Sequence, residues 1–444
     1  MVDVEGLKQS VKAQFPFLGL NKTQEIVRLV FEISKRDKAL PQEVLTAIPQ
    51  DAKTFPAIKR CLLEKRFPEA LRHGEKFFGA FSALELKEGV SVDTTQPFFI
   101  SPQNIYVEES VSNSHLAERL KKLFPSAKVT SMASYREFLN RENFSVSSYN
   151  SRAKNFFVVQ ERFDFFKKCP CTPGVVGCGY HNVNLGFGCP YECSYCFLQN
   201  YTNAPGIVFP ANLDDFFEAF RKYPQNIRVG SGETTDSLVF DHITEFSPRI
   251  VDFFRLRTKS IFEFKTKSAN VGLLLGITSS PNIVVGWSVN PQLKVLENEY
   301  FTAPLSERLA AAKKCFEAGY KVAFHFDPVF YYPGWDKDYA KVVEAIFSFV
   351  KPQGIAWISL GTLRMTHEQK KVIENRFPLA TILNEELFEA LDGKIRYPFF
   401  VRRDIYRFMA DCIKAHDEEV PVYLCMEPRE MWQAAKLKVC ILPQ

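Results

Sequence analysis

The stretch GCPYECSYCF (188–197) contains three cysteines with the spacing C-x3-C-x2-C, directly after the strand candidate 182–187. A structural zinc site needs four protein ligands, commonly two C-x2-C pairs, and no second pair follows at the usual distance. Three thiolates on one short loop can instead hold three irons of a [4Fe-4S] cluster and leave the fourth iron without a protein ligand. The stretch therefore predicts an iron–sulfur site at Cys189, Cys193 and Cys196, with zinc or ordinary core cysteines as the alternatives.

The cysteine loop lies in a series of short apolar strand candidates that alternate with helical segments such as 306–319 and 339–350. The strand candidates are 182–187, 227–232, 262–267, 282–290, 321–330 and 355–361. Alternation of this kind is typical of parallel βαβ units. Six in a row predict an α/β fold built as a partial (β/α)6-type TIM barrel, whose chemistry lies in the loops after the strands. A further strand candidate, VPVYLCM (420–426), is available to extend the sheet.

Three regions follow from this pattern. The first ninety residues contain apolar positions at helical spacing in TQEIVRLVFEI (23–33) and FPAIKRCLLEK (55–65), which predicts a helical N-terminal extension over 1–95. The strand and helix series predicts a core over 100–366, including a helix that begins after Ser114. Residues 367–444 are expected to supply a helix and a strand that complete or cap the barrel.

Composition excludes some classes of function and leaves others open. The chain has 444 residues, 56 Lys and Arg against 51 Asp and Glu, and a net charge of +5 that neither requires nor excludes nucleic acid. The N-terminal sequence lacks the apolar core of a signal peptide, and no stretch reaches about 18 apolar residues. We therefore expect a cytoplasmic protein with no membrane span, in which its 11 cysteines are reduced.

The cysteine spacing, together with Gly188 and Tyr195, resembles the radical S-adenosylmethionine superfamily. The resemblance implies that the open iron binds the amino and carboxylate groups of S-adenosylmethionine, and that one electron from the reduced cluster cleaves the sulfonium. The 5′-deoxyadenosyl radical that forms would abstract hydrogen from a substrate. An electron donor such as flavodoxin or ferredoxin is implied, and Tyr195 is expected to lie against the adenine.

Polar residues at the ends of later strand candidates support the same interpretation. By the resemblance, Gly232 and Glu233 would receive the ammonium group of S-adenosylmethionine, since glycine lets the backbone approach a ligand closely. Lys267 would meet the carboxylate. Ser288 and Asn290 offer hydroxyl and amide contacts to the ribose or the carboxylate. For each residue taken alone, a solvated strand end is the alternative.

Longer segments narrow the resemblance to one branch. CSYCFLQNYTN (193–203), ETTDSLVFDHIT (233–244) and PLSERLAAAKKCFEAGYKVAFHFDP (304–328) resemble the spore photoproduct lyase family and lyase-like proteins often labelled DNA repair photolyases. The resemblance runs from about Asn104 to about Arg364 and does not include the first ninety residues. It implies hydrogen abstraction from a substrate, followed in the lyase by return of a hydrogen atom from a cysteine.

Two positions depart from that pattern. The hydrogen-donating cysteine of the lyase aligns with Glu233, whose carboxylate cannot give up a hydrogen atom as a thiol can. A tyrosine implicated in the radical relay of the lyase aligns with Phe197. We therefore expect a lyase-like radical S-adenosylmethionine enzyme with an unidentified substrate. The alternatives are a DNA repair lyase acting on a thymine dimer photoproduct and a non-catalytic iron–sulfur redox sensor.

The remaining cysteines leave several hypotheses open. Cys169, Cys171 and Cys178 have the spacing C-x-C-x6-C, which matches no standard cluster motif. They are candidates for a second iron–sulfur cluster, a loop held by metal, or a redox-sensitive loop. Cys425 is a candidate substitute hydrogen donor if its strand joins the sheet, with a core cysteine as the alternative. Tyr195 is a second candidate donor at shorter range.

Overall fold

The structure is a computed structural model that describes residues 3–75, 81–87, 89–95, 99–141, 145–162, 165–201, 204–223, 226–257 and 259–439. Its contacts divide the chain into two compact units. The first comprises Met1–Val92, Phe330–Pro333 and Thr362–Asp404, and the second comprises Asp93–Val329, Gly334–Gly361 and Ile405–Gln444. The predicted C-terminal region, 367–444, is therefore divided between the two units.

Helices occur in both units, and none of those described is long and apolar enough to cross a membrane. In chain order the described α-helices are α1 (Val4–Gln14), α2 (Leu20–Asp37), α3 (Pro41–Thr46), α4 (Phe55–Arg66), α5 (Pro68–Arg72), α6 (His115–Leu123), α7 (Tyr135–Arg141), α8 (Val146–Asn150), α9 (Leu198–Tyr201), α10 (Leu213–Arg221), α11 (Asp241–Thr244), α12 (Phe246–Arg255), α13 (Gly272–Leu275), α14 (Gln292–Asn298), α15 (Leu305–Glu317), α16 (Trp335–Phe349), α17 (His367–Arg376), α18 (Phe399–His416) and α19 (Arg429–Ala434). Ser114 caps α6 as predicted, because its hydroxyl accepts a hydrogen bond from the amide of Ala117 at 3.3 Å.

The strands are shorter and concentrate in the second unit. In chain order the described strands are β1 (Asn104–Glu108), β2 (Lys128–Met132), β3 (Asn155–Val159), β4 (Phe166–Lys168), β5 (Tyr180–Val183), β6 (Glu192–Cys193), β7 (Ile207–Pro210), β8 (Arg228–Ser231), β9 (Ile261–Thr266), β10 (Ile283–Ser288), β11 (Glu299–Tyr300), β12 (Lys321–Val329), β13 (Ile355–Thr362), β14 (Arg364–Met365), β15 (Phe388–Glu389), β16 (Ile395–Arg396) and β17 (Val422–Leu424). Each of the six strand candidates of the predicted series overlaps one of these strands.

The main sheet of the second unit has the strand order β17-β13-β12-β10-β9-β8-β5-β4. Neighbours from β5 through β8, β9 and β10 to β12 pair in parallel, as do β13 and β17, whereas the edge strand β4 runs antiparallel to β5. The candidate 420–426 thus extends the sheet as β17. All six predicted strands belong to this sheet. The carboxyl ends of its parallel strands lie at the same end of the sheet, where the chemistry of such folds is located.

One predicted boundary is wrong. The strand predicted over 182–187 is β5, which ends at Val183 rather than running to the cysteine loop. Gly186 and Gly188 have φ angles of 156° and 88°, and a chain in these conformations leaves the sheet. Phe187 instead exchanges two backbone hydrogen bonds with Val208, at 2.8 and 3.0 Å. The segment before the first cluster cysteine is therefore anchored to β7.

Strand β7 belongs to a second sheet of the same unit, with the order β2-β1-β3-β7 and parallel pairing throughout. The aromatic side chains Phe156, Phe209 and Phe240 pack against one another in its core, with ring centroids 5.1 to 5.9 Å apart. Aromatic pairs in this arrangement add to the free energy gained by burying their surface. Tyr191 of the cysteine loop packs against this core.

The first unit is held by a helical core and by buried ion pairs between α2 and α17. Glu32 on α2 accepts from Lys370 at 2.5 Å and from Arg66 at 3.0 Å, and Arg28 donates to Glu374 at 2.5 Å. Burial disfavours the Glu32 carboxylate, but Lys370, Arg66 and Arg28 outweigh it and lower its pKa to about 2. These side chains are almost completely inaccessible to solvent, so the network is part of the core of this unit.

Candidate active site

The cysteine loop begins at a position that requires glycine. Gly188 has a φ of 88°, donates to the carbonyl of Thr234 at 2.9 Å, and would place a Cβ 3.2 Å from the carbonyl oxygen of Gly206. Strand β6 then pairs antiparallel with β11, and Cys193 lies opposite Glu299. The amide of Cys196 donates back to the carbonyl of Cys193 at 3.0 Å, which closes the turn that carries the second and third cysteines.

Arg152 holds this loop through hydrogen bonds to its backbone and to Glu192. Its buried guanidinium donates to the carbonyls of Cys189 at 2.7 Å and Tyr191 at 2.8 Å, and to the carboxylate of Glu192 at 2.6 Å. It also lies 4.1 Å from the ring centroid of Tyr149. The motif alone does not reveal this residue. Arg152 lies within the predicted core, 37 positions before Cys189.

The three thiols of the loop are enclosed by protein. Cys193 is buried, and Cys189 and Cys196 are half-buried. Burial raises the pKa of Cys189 to about 12 and raises the pKa of Cys193 and Cys196 as well. Burial disfavours the ammonium of Lys267, but Cys193 and Glu299 outweigh it and raise the Lys267 pKa. Three sulfur donors on one loop with a nearby cation are a donor set that fits an iron–sulfur cluster, because bound thiolates need compensating charge.

Glu299 has a buried carboxylate that accepts hydrogen bonds from two predicted residues, Tyr195 and Asn290. It accepts from the hydroxyl of Tyr195 and from the amide of Asn290 at 2.9 Å, and it forms an ion pair with Arg308 at 2.7 Å. Asn290 in turn accepts from the hydroxyl of Tyr339 at 2.7 Å. Burial disfavours ionisation of Glu299, but Arg308 and Lys267 outweigh it and lower its pKa. Glu299, which the motif did not reveal, therefore fixes both Tyr195 and Asn290.

The other predicted contacts lie at the carboxyl ends of the neighbouring strands. Gly232 has a φ of 102°, and a Cβ there would lie 2.7 Å from the carbonyl oxygen of Lys265. Lys267 donates its amide to Asp236 at 2.7 Å, and its ammonium lies 5.6 Å from the ring centroid of Tyr195. Ser288 ends β10, where its carbonyl accepts from Arg308 at 2.9 Å. The structure thus brings Lys267 and Tyr195 together beside the cysteine loop.

Glu233 follows Gly232 at the end of β8 and is half-buried. Burial raises its pKa, although the charge of Lys265 opposes this shift. Residues 233–235 form a bend that leads to Asp236. The carboxylate of Asp236 accepts from the hydroxyl of Thr266 at 2.7 Å, which ties the end of β8 to the end of β9.

Deeper in the main sheet, a polar cluster surrounds Glu263. Its carboxylate accepts from Arg228 at 3.0 Å, His325 at 2.7 Å and Trp357 at 3.2 Å. Burial disfavours this carboxylate, but Arg228 and His325 hold its pKa well below the usual range. The Nε2 atom of His325 therefore carries the proton, and Nδ1 accepts from the hydroxyl of Ser359 at 2.6 Å. The network is not fully satisfied, because Nε and Nη1 of Arg228 are buried without a hydrogen-bond partner in the described part of the chain, while its guanidinium lies 3.9 Å from the ring centroid of Trp357.

A loop that we call the strap, residues 169–178, contains the second group of cysteines. The amide of Cys169 donates to the backbone carbonyl of Tyr180 at 2.9 Å, and the amide of Val176 donates to the backbone carbonyl of Glu427 at 3.0 Å. Val175 forms an antiparallel bridge with Pro428. Because the strap begins after the edge strand β4 and reaches the segment that follows the opposite edge strand β17, it connects the two edges of the main sheet.

The strap thiols are half-buried. The side chains of Cys169 and Cys171 form a hydrogen bond, which together with burial holds the pKa of Cys169 far above its usual range. Lys265 and Glu233 are close enough to Cys169 to influence the same pKa. Within the described residues, which include both the strap and the three cysteines of the 188–197 loop, no group of three or more His, Cys, Asp or Glu side chains is arranged to hold a single metal ion.

The other cysteines lie in different surroundings. Cys425 extends the pairing of β17, since its amide donates to Leu360 at 2.8 Å. It lies two residues after Tyr423, whose hydroxyl accepts from the inward-facing Arg228 at 3.2 Å, so both side chains point to the same face. Cys315 is buried, Cys61 and Cys412 are half-buried, and Cys440 lies outside the described residues.

Comparison with known proteins identifies a single family. The sequence profile of spore photoproduct lyase matches residues 100–407. A spore photoproduct lyase from a Geobacillus species is 28% identical over 231 residues, which cover 50% of this chain and 68% of that protein. The spore photoproduct lyase of Bacillus subtilis is 24% identical over 299 residues, covering 64% of this chain and 85% of that protein.

Solved structures show the same fold. Spore photoproduct lyase complexed with dinucleoside spore photoproduct has a TM-score of 0.63 and 23% identity, over 73% of this chain and 99% of that one. A variant of the lyase with bound S-adenosylmethionine and dinucleoside spore photoproduct has a TM-score of 0.63 and covers 74% of this chain. The likeness confirms the predicted α/β fold, a partial TIM barrel with additional N-terminal helices.

Proposed function

The chain belongs to the spore photoproduct lyase family of radical S-adenosylmethionine enzymes, and on this premise we propose which residues carry the chemistry. Cys189, Cys193 and Cys196 hold three irons of a [4Fe-4S] cluster and leave the fourth iron open. The observation that carries this proposal is the loop itself, which Arg152 and the β6–β11 pairing fix around three enclosed thiols. Family membership does not favour the alternative of a non-catalytic redox sensor.

S-adenosylmethionine bound at such a cluster would supply a 5′-deoxyadenosyl radical after one-electron reduction. Gly232 leaves room for its ammonium group to approach the backbone, and Glu233 offers a carboxylate to that group. Lys267 meets its carboxylate. Ser288 and Asn290 lie on the ribose side, and Tyr195 lies against the adenine. The support for this set is that Glu299 fixes Tyr195 and Asn290 while Lys267 lies beside the Tyr195 ring.

The substrate class that we favour is a nucleic acid component from which the radical abstracts hydrogen. The support is the family: a solved relative holds a dinucleoside spore photoproduct. Glu233 and Phe197 stand where the lyase is expected to have a hydrogen-donating cysteine and a relay tyrosine. The second half of the reaction must therefore use other residues, and Cys425, which faces into the sheet, and Tyr195 are candidates for it.

The cell must supply an electron, and we propose a flavodoxin or ferredoxin in the cytoplasm as its source. The alternative use of Cys169, Cys171 and Cys178, a second iron–sulfur cluster, is decided by counting iron in anaerobically reconstituted protein. About four irons per chain exclude it, whereas about eight support it.

The proposed function is tested by incubating the reduced, reconstituted protein with S-adenosylmethionine and measuring 5′-deoxyadenosine. We expect product from the wild type, and loss of both cluster and product from C189A, C193A and C196A. The matched control is C412A, which removes a half-buried thiol from helix α18 and should leave both unchanged. A wild-type protein with an intact cluster that forms no 5′-deoxyadenosine would overturn the proposal.

A further inference from the structure

We propose that the inner face of the main sheet contains a site for a phosphate group of the substrate, formed by Tyr180, Asn182 and Lys265. The inference rests on the proposed function, because it names the part of a nucleic acid component that this face would bind. The bases and sugars of such a component are uncharged at neutral pH, so phosphate is its anionic group.

The strand register places the three residues on one face of three neighbouring strands. Tyr180 and Asn182 are two residues apart on β5, so their side chains point to the same face. Tyr180 pairs with Arg228 of β8, whose guanidinium lies 4.9 Å from the Tyr180 ring centroid. Arg228 donates to Glu263 of β9 at 3.0 Å, and Lys265 lies two residues further along that strand. All five side chains therefore belong to the same inner face.

The hydroxyl of Tyr180 reaches the middle of this face. A Cβ on Gly230 would collide with the hydroxyl oxygen, so the tyrosine side chain lies over this glycine. Gly230 pairs with Asn182, and it comes two residues before Gly232, a separation of about 7 Å along a strand. The hydroxyl and the Asn182 side chain are thus one layer of side chains deeper in the sheet than Gly232, which we assign to S-adenosylmethionine.

Lys265 brings a positive charge to the same place. Its ammonium nitrogen lies 3.9 Å from the ring centroid of Tyr180, and it forms no ion pair with the residues that the structure describes. Its neighbours in the sheet are glycines, because Gly286 pairs with it on β10 and a Cβ on Gly232 would lie 2.7 Å from the Cβ of Lys265. Glycines within strands are typical of positions where a ligand approaches closely.

The donors around this position are left without acceptors. The hydroxyl of Tyr180, Nδ2 of Asn182, and Nε and Nη1 of Arg228 are buried and have no hydrogen-bond partner among the described residues. The three residues are only 5%, 3% and 2% exposed. Leaving a buried donor unpaired costs folding free energy. Each of these groups can donate a hydrogen bond, so the partner that the site lacks is a group with acceptor oxygens.

Phosphate meets both requirements of this set, which are several acceptor oxygens and a negative charge. Lysine binds phosphate as a point charge, and uncharged hydroxyl and amide donors form strong hydrogen bonds to an ionised oxygen. A thymine base offers two carbonyl oxygens but leaves the ammonium of Lys265 unpaired. Water can satisfy single donors, but it also brings no charge. The charge of Lys265 therefore favours phosphate over a base or water.

Equilibrium binding to the reconstituted protein with S-adenosylmethionine tests the site without any turnover. We expect thymidine 5′-monophosphate to bind at least about tenfold more tightly than thymidine, because its phosphate receives charge-assisted hydrogen bonds. Inorganic phosphate should compete with the nucleotide but bind more weakly than it. Inorganic phosphate that binds as tightly as the nucleotide would show a site for free phosphate and overturn its role in substrate binding.

Two variants separate a ligand site from a structural cluster. Because the Tyr180 hydroxyl has no partner in the described part of the chain, Y180F should not lower the free energy of unfolding. It should weaken nucleotide binding by about tenfold and leave thymidine binding unchanged. K265M removes the charge and should bring the affinity for the nucleotide close to that for thymidine.

Matched controls make the same chemical changes elsewhere. The Tyr320 hydroxyl donates to the carbonyl of Leu274 at 2.9 Å, so Y320F should lower stability and leave nucleotide binding unchanged. K313M removes an exposed charge from α15 and should change neither property. Nucleotide binding that is unchanged in Y180F and K265M would overturn the inference. If K265M fails to load its cluster, Y180F gives the same readout by itself.

The two proposals fail in distinguishable ways. Absence of 5′-deoxyadenosine from the wild type with an intact cluster defeats the proposed function, whatever the protein binds. Formation of 5′-deoxyadenosine by a protein that binds thymidine 5′-monophosphate no more tightly than thymidine leaves the proposed function standing and defeats the phosphate site alone.

Discussion

Gly232 shows how one backbone position controls the proposed cofactor site. A Cβ at this position would meet the carbonyl oxygen of Lys265 at 2.7 Å, and the φ of 102° is one that L-residues rarely adopt. We expect G232A to cost at least about 1–2 kcal/mol in the free energy of unfolding and to weaken binding of S-adenosylmethionine. Urea denaturation and equilibrium binding to the reconstituted protein measure the two effects.

The control for Gly232 is Gly272, which begins the short helix α13 and where an added Cβ would have no neighbouring atom within 4 Å. G272A should be neutral, or stabilising by about 0.5–1 kcal/mol, because alanine favours a helix. Equal effects of G232A and G272A on stability and binding would contradict the assigned role of Gly232.

His325 and Glu263 predict how stability depends on pH. Burial lowers the pKa of His325 below its ordinary value of 6.5, so the folded protein holds a neutral imidazole. The unfolded chain binds a proton below about pH 6.5, and stability therefore falls on acidification through that range, by up to about 1.4 kcal/mol per pH unit. The lowered pKa of Glu263 acts in the same direction at lower pH, because its stabilisation is full above its unfolded value and lost as pH falls.

Urea denaturation between pH 7.5 and pH 5 measures this dependence. The variant H325Q keeps a donor for Glu263 without a titrating ring, so its stability should change less over that interval. A slope for H325Q as steep as that of the wild type would show that other groups cause the loss.

At the scale of elements, the strap is expected to depend on a backbone hydrogen bond. V176P removes the amide that donates to Glu427 at 3.0 Å and should cost about 0.5–1.5 kcal/mol. It should also expose residues 169–178 to limited proteolysis. V176A retains the amide and is the matched control, so similar cleavage of V176P and V176A would contradict the strap as an element fixed at both ends.

Helices α2 and α17 are connected by buried charges, which makes the first unit sensitive to one carboxylate. E32Q leaves Lys370 and Arg66 without their partner and should cost about 3–5 kcal/mol. The stabilisation from Glu32 is present above its unfolded pKa of about 4.5 and is lost as pH falls toward about 2. E5Q, which removes an exposed partner of Lys8, should cost less than about 1 kcal/mol. Thermal or urea unfolding that ranks the two equally would contradict the network.

For the whole molecule, much of the main sheet could be predicted from sequence, because strands buried on both faces are short apolar runs separated by helices. The three cluster cysteines could be predicted because their spacing is local. The boundary of β5 could not, since glycine conformations at 186 and 188 decide where the strand ends. The sequence also predicts that residues 367–444 form one region. Contacts over long sequence distances, such as Arg28 with Glu374, instead join part of this region to the N-terminal helices.

The supporting residues of the site were harder to find from sequence. Arg152, Asp236 and Glu299 hold the cysteine loop, the end of β9 and Tyr195, respectively. Each acts on residues 30 to 104 positions away, and a single sequence contains no periodicity that marks such pairs. The strap cysteines could be noticed by their spacing, but only the contact of the strap with the segment after β17 shows where they lie.

The central claim is that Cys189, Cys193 and Cys196 hold a cluster whose fourth iron is open to S-adenosylmethionine. The most direct measurement is the electron paramagnetic resonance spectrum of the reduced, reconstituted protein with and without S-adenosylmethionine. Binding at the open iron changes the ligand field of the cluster, so we predict a changed spectrum in the wild type and no cluster signal in C193A. An intact cluster signal that is identical with and without S-adenosylmethionine would contradict the claim.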